Sequence, residues 1–135
     1  MRALLAELRP QAGILGEEFP AKAGTSGRTW VLDPIDGTRG FISGTPTWGT
    51  LIAVSGDDGP ILGIVDQPYI GERFMGTPSG AMLTRDGQTV DITTNTTVDL
   101  SEATIFTTFP EVGTSAPVRI FIKVDLPQPL APIRP

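Results

Sequence analysis

Trp30-Val31-Leu32-Asp33-Pro34-Ile35-Asp36-Gly37-Thr38-Arg39-Gly40-Phe41 carries more information than any other part of this 135-residue chain. Residues 29–32 (Thr-Trp-Val-Leu) are β-branched, aromatic and apolar, so they read as a strand, which the turn chemistry of Pro34 and Gly37 should end. Two carboxylates three residues apart, Asp33 and Asp36, can converge on one side of such a turn. Hard divalent cations take oxygen ligands, and Asp33, Asp36 and an intervening backbone carbonyl are donors of that kind. Gly37 and Thr38 then offer backbone N–H groups to a phosphate, at what reads as a helix start. The same Asp-Pro-x-Asp-Gly run is also a good β-turn, and on its own it leaves that plainer reading open.

On the N-terminal side, Leu4, Leu5 and Leu8 recur at helical spacing and Pro10 follows, so residues 1–9 read as the end of an amphipathic helix. An apolar run over residues 12–15 leads into Gly16-Glu17-Glu18. Adjacent glutamates usually occupy a solvated face, but this pair is anchored by the apolar run before it. Residues 19–28 read as a solvated loop in which Lys22 and Arg28 lie within reach of a phosphate or are simply hydrated.

On the C-terminal side, residues 48–54 and 61–66 form two β-rich runs joined by a turn at 55–60. Residues 72–76 and 81–84 continue the pattern, Asp86-Gly87 marks another turn, and residues 104–107 are a further strand candidate. The fold class expected is α+β, a mostly antiparallel sheet with few helices. Trp30 and Trp48 read as packing residues, Arg39 is open in role, and Glu72-Arg73 reads as a surface strand pair. From Val118 the character changes. Residues 118–124 suit a strand, whereas residues 125–135 hold four prolines, which cannot extend a sheet. The expected division is 1–117, a metal-binding part, and 118–135, a Pro-rich tail.

Composition narrows the chemistry. The chain contains no cysteine and no histidine, so disulfides, thiolates, Ser-His-Asp triads and imidazole ligands are excluded within it. Catalysis must rest on carboxylates, hydroxyls, lysine or metal ions. A net charge of −5 gives no electrostatic reason to expect nucleic acid or an anionic membrane as a partner. With no signal-peptide pattern and no run of membrane-span length, a cytoplasmic protein is expected.

Taken together, Glu17-Glu18 and the Asp33 segment resemble the motif pair of the inositol monophosphatase superfamily, in which Gly-Glu-Glu precedes Trp-x-x-Asp-Pro-x-Asp-Gly-Thr-x-x-Phe. Phe41-Ile42-Ser43-Gly44-Thr45-Pro46-Thr47-Trp48-Gly49-Thr50-Leu51-Ile52 and Gly63-Ile64-Val65-Asp66-Gln67-Pro68-Tyr69-Ile70-Gly71-Glu72-Arg73 are most similar to the histidinol-phosphatase branch. The resemblance covers residues 1–113. It implies part of a layered αβαβα sandwich and Mg2+-dependent hydrolysis of a small phosphate monoester by metal-activated water. The first substrate is L-histidinol phosphate, which belongs to histidine biosynthesis. An inositol phosphate and a 3′-phosphonucleotide follow. By the same resemblance, Glu17, Asp33 and the Ile35 carbonyl would hold one Mg2+, and Asp33 and Asp36 would help hold a second. Gly37 and Thr38 would touch the substrate phosphate, Glu17 and Thr38 would be catalytic, and Glu18 would support the ligands from behind.

The chain departs from that pattern at three places. The family's Thr-x-x-Asp segment, expected before residue 1, and its Trp-Asp-x-Ala segment, expected after the matched part, do not occur. Residues 116–135 resemble nothing expected at that point. A truncated or frame-shifted reading frame would account for all three and would impair the enzyme. The rival expectation is a non-catalytic metal-binding fragment, or a subunit completed by a partner chain. Uncovered sheet faces and edges would favour self-association, a homodimer among the outcomes.

Overall fold

The computed structural model describes residues 1–94. In chain order they form α1 (Arg2–Leu8), β1 (Gly13–Gly16), β2 (Thr29–Asp36), α2 (Thr38–Ile42), β3 (Gly49–Gly56), β4 (Gly59–Gln67), β5 (Glu72–Thr77), β6 (Gly80–Arg85) and β7 (Gln88–Ile92). All seven strands join one mixed sheet whose spatial order follows the chain order. The expected α+β class, mostly antiparallel and poor in helix, is what is found.

β1 and β2 pair in parallel, with Gly13 opposite Thr29 and Gly16 opposite Leu32. A parallel neighbour needs a connection that travels back along the sheet. Residues 17–28 supply it, and Lys22 bridges the outer edge of β1 through two backbone hydrogen bonds with Ile14, of 2.8 and 2.9 Å. From β2 onward each strand is antiparallel to the next through β6. Residues 37–48, with α2, join β2 to β3, and short turns suffice after that, at Asp57-Asp58, residues 68–71, Pro78-Ser79 and Asp86-Gly87.

The register puts Ile14, Trp30, Val54 and Leu62 in one row across the sheet, and Leu32, Ile52, Ile64, Met75 and Met82 in the next row on the same face. Ile14, Leu32 and Val54 are buried, and Ile14 is 2% exposed. Leu15, Val31 and Val65 lie on the opposite face and stay exposed. Trp30 and Trp48 are half-buried, and Trp48 meets Phe41 edge-on at 5.0 Å between ring centres. Both tryptophans therefore pack, as the sequence suggests.

Several boundaries differ from expectation. β2 does not stop at Leu32 but runs through Pro34 to Asp36. Proline lacks the ladder donor, and a strand tolerates it where pairing is already interrupted; here the register shifts between Asp33 and Asp36. Residues 13–16, expected only as an apolar run, are a strand, and β7 was not foreseen. Glu72 and Arg73 do not act as a pair: Arg85 reaches Glu72 at 3.2 Å, and Arg73 reaches Asp66 at 2.7 Å. One compact unit spans Met1–Asp91. The strands expected at 104–107 and 118–124, and the tail at 125–135, lie outside the described residues. Among the described residues, no helix is long and apolar enough to cross a membrane.

Candidate metal and phosphate site

At the end of β2, Asp33 faces Leu51 and Asp36 faces Gly49 on β3. Pro34 and Ile35 therefore stand opposite the single residue Thr50, which is the geometry of a β-bulge. Three side chains tie the bulge down. The Thr50 hydroxyl donates to the Pro34 carbonyl at 2.8 Å. The Ile35 N–H donates to Oδ1 of Asp33 at 3.2 Å, which orients that carboxylate. The Thr38 hydroxyl donates to the Ile35 carbonyl at 3.0 Å. Asp33 and Ile35 are half-buried; Asp36 and Thr38 are exposed.

β2 leaves the sheet through Gly37, whose φ of +82° lies in the left-handed region. A Cβ at Gly37 would come within 2.6 Å of the Thr47 carbonyl oxygen, so the chain folds back tightly there and admits no side chain. α2 follows at once, and Gly40 packs against Thr45 and Thr47, where a Cβ would meet the Thr47 hydroxyl at 2.8 Å. Thr45 in turn donates to the Gly40 carbonyl at 3.1 Å. The run Gly37-Thr38-Arg39-Gly40 is thereby pressed onto residues 45–47.

The other acidic pair arrives from β1. Gly16 is the last β1 residue in register, opposite Leu32, so Glu17 follows it where Asp33 follows Leu32. Parallel pairing is what sends both acids out at the same end of the two strands. The turn after Glu17 and Glu18 is held from α1. The Arg2 guanidinium donates to the Pro20 carbonyl at 2.8 Å and lies over the Phe19 ring at 5.6 Å. Glu17 and Glu18 are both exposed.

The structure thus places Asp33, Ile35, Asp36, Gly37 and Thr38 in one continuous bulge and turn, with Glu17 at the neighbouring strand end. Among the described residues, no three acidic side chains are gathered closely enough to enclose a metal ion. The donors present are carboxylate and carbonyl oxygens, a set that suits a hard, partly hydrated divalent cation and no soft one. Lys22 donates to the Pro10 carbonyl at 2.7 Å. Arg28 precedes β2 and so lies at the end of that strand opposite the bulge. There it lines a hollow of about 470 Å³ with Ser26, Gly27, Asp57 and Asp58. That hollow contains none of the predicted site residues. Thr50 and Arg2 went unremarked in the sequence, because a strand hydroxyl or a helix arginine acquires a role only from its register and neighbours.

The fold resembles that of solved structures of inositol monophosphatase and SuhB proteins. An inositol monophosphatase from Zymomonas mobilis is 43% identical with a TM-score of 0.62, and the match covers 76% of this chain and 38% of that one. SuhB of Mycobacterium tuberculosis is 33% identical with a TM-score of 0.66, covering 76% and 39%. Among curated proteins, the chloroplastic bifunctional phosphatase IMPL2 of Arabidopsis thaliana is 39% identical over 133 residues, 94% of this chain and 38% of its own length. The histidinol-phosphatase of Mycobacterium tuberculosis is 41% identical over 88 residues, 64% of this chain and 34% of its own. The chain spans about a third to two fifths of the length of these relatives. The profile of the inositol monophosphatase family matches residues 1–126, and the chain belongs to that family. The match runs past residue 113, so residues 116–126, which the sequence sets apart from the family pattern, fall within it.

Proposed function

We propose that this chain carries the carboxylate and phosphate-binding half of a phosphatase acting on a small phosphate monoester. The reading rests on one observation: the parallel β1–β2 pair and the bulge in β2 bring Glu17, Asp33 and Asp36 to one end of the sheet, beside Thr38. The residues that would hold Mg2+ are Glu17, Asp33, Asp36 and the Ile35 carbonyl. When bound, such an ion neutralises phosphate charge and lowers the pKa of a coordinated water.

The chain's own groups have separate tasks. Thr38 keeps its hydroxyl proton on the Ile35 carbonyl, so Oγ1 presents lone pairs and accepts a hydrogen bond from the attacking water. Glu17 takes the proton that this water loses. The backbone N–H groups of Gly37 and Thr38 bind the phosphate oxygens, and the bare Cα of Gly37 lets the substrate approach. Asp33 is held in orientation by the Ile35 N–H, and Glu18 supports Glu17.

Histidinol phosphate is the first substrate choice, supported by the likeness to the histidinol-phosphatase of Mycobacterium tuberculosis. An inositol monophosphate is second, supported by ImpA of Mycolicibacterium smegmatis, which is 36% identical over 70 residues. The test is phosphate release from L-histidinol phosphate and from inositol 1-phosphate, with and without Mg2+, by the chain and its Glu17→Gln and Asp33→Asn variants. Mg2+-dependent release that both variants lose supports the proposal. Calorimetric Mg2+ binding without turnover would instead favour a fragment that holds the cation and needs another chain for chemistry.

A further inference from the structure

We infer that Thr50 is a positioning residue that fixes the spacing of Asp33 and Asp36 from the neighbouring strand. Thr50 is the one residue of β3 opposite the two bulge residues, because Asp33 pairs with Leu51 and Asp36 with Gly49. Pro34 has no N–H, so its carbonyl is the only main-chain hydrogen-bonding group it can offer to β3. The Thr50 hydroxyl takes that carbonyl at 2.8 Å in a half-buried position, replacing a backbone ladder bond with a side-chain bond. The hydroxyl thus fills the gap that a two-against-one bulge leaves. Without it the Pro34–Ile35 peptide keeps its N–H bond to Asp33 Oδ1 but loses its side-chain tie to β3. The Ile35 N–H shares one peptide plane with the Pro34 carbonyl, so Asp33 Oδ1 and the Thr50 hydroxyl hold the two sides of the same unit, and Thr50 is the contact that ties it, with the carboxylate it orients, to β3. β-Branching at position 50 also suits a strand, so the residue serves pairing and site with one side chain.

The inference deepens the proposed cation site and rests on it for its functional meaning, so the experiment separates the two. Thr50→Val removes the hydroxyl at constant shape, and Thr50→Ser restores it. In metal-free wild-type protein, the Pro34 carbonyl carbon should show a hydrogen/deuterium isotope shift from the hydroxyl, a readout that needs no variant to fold. Residual dipolar couplings of residues 33–36 should change in Thr50→Val and return in Thr50→Ser. Calorimetry with Mg2+ alone should then show about five- to tenfold weaker binding in Thr50→Val only, the worth of one hydrogen bond. Wild-type affinity in Thr50→Val, or unchanged couplings, would overturn the role of Thr50. If the wild type binds no Mg2+ while the couplings still follow the hydroxyl, the cation site fails and the positioning of the bulge stands.

Discussion

Gly37 shows how one residue's freedom shapes the site. Its φ of +82° and the Thr47 carbonyl 2.6 Å from any added Cβ penalise a side chain twice. Gly44 offers a control, since its φ of +71° is similar but nothing lies within 4 Å of its Cβ position. Gly44→Ala should cost about 1 kcal/mol, the left-handed penalty alone. Gly37→Ala should cost about 2–4 kcal/mol, because a backbone atom must also move. Urea denaturation of the two variants checks the difference, and equal costs would show that the turn relaxes easily. The convergence of Asp33 and Asp36 on one turn, with Gly37 and Thr38 beside them, was legible from residue type and spacing, whereas the roles proposed for them came from the family resemblance. Thr50 was not legible, because its partner is 16 residues away and depends on a register shift that no local pattern encodes.

At the scale of elements, the site depends on β1, a four-residue strand that packs chiefly through Ile14. Ile14→Ala should destabilise the protein by about 2–4 kcal/mol, as for other large-to-small changes in a core. Because Glu17 directly follows β1, the same change should weaken Mg2+ binding more than an equally destabilising change at Leu83 on β6. Thermal denaturation and calorimetry together test this; equal effects on binding would detach β1 from the site. Hairpins were legible because their turns are marked by Asp and Gly, as at Asp57-Asp58-Gly59 and Asp86-Gly87. β1 was hard to read since four residues give no periodicity to count. The extension of β2 through Pro34 was hidden by a rule that holds for regular strands and lapses at a bulge.

Across the whole described unit, the sheet buries one face better than the other. Leu15, Val31 and Val65 share the exposed face by register and side-chain alternation. Replacing Val31 and Val65 by Thr keeps β-branching and lowers apolarity. The double variant should bind less of a hydrophobic dye and scatter less light at high concentration, with the sheet's circular dichroism unchanged. Undiminished dye binding would place the sticky surface elsewhere.

The strand order has a consequence in time. Because spatial order follows chain order, β3 to β7 meet their partners through short turns and can zip on the microsecond scale, about 1–10 μs per hairpin. β1 and β2 are different: β2 reaches β3 across residues 37–48, which include α2, and β1 reaches β2 across residues 17–28, so both are slower closures over longer range. Glu17, Asp33 and Asp36 all reach their places through these longer closures. A cation held by Glu17 and Asp33 during refolding would act as a latch between β1 and β2, slowing their separation more than hastening their docking.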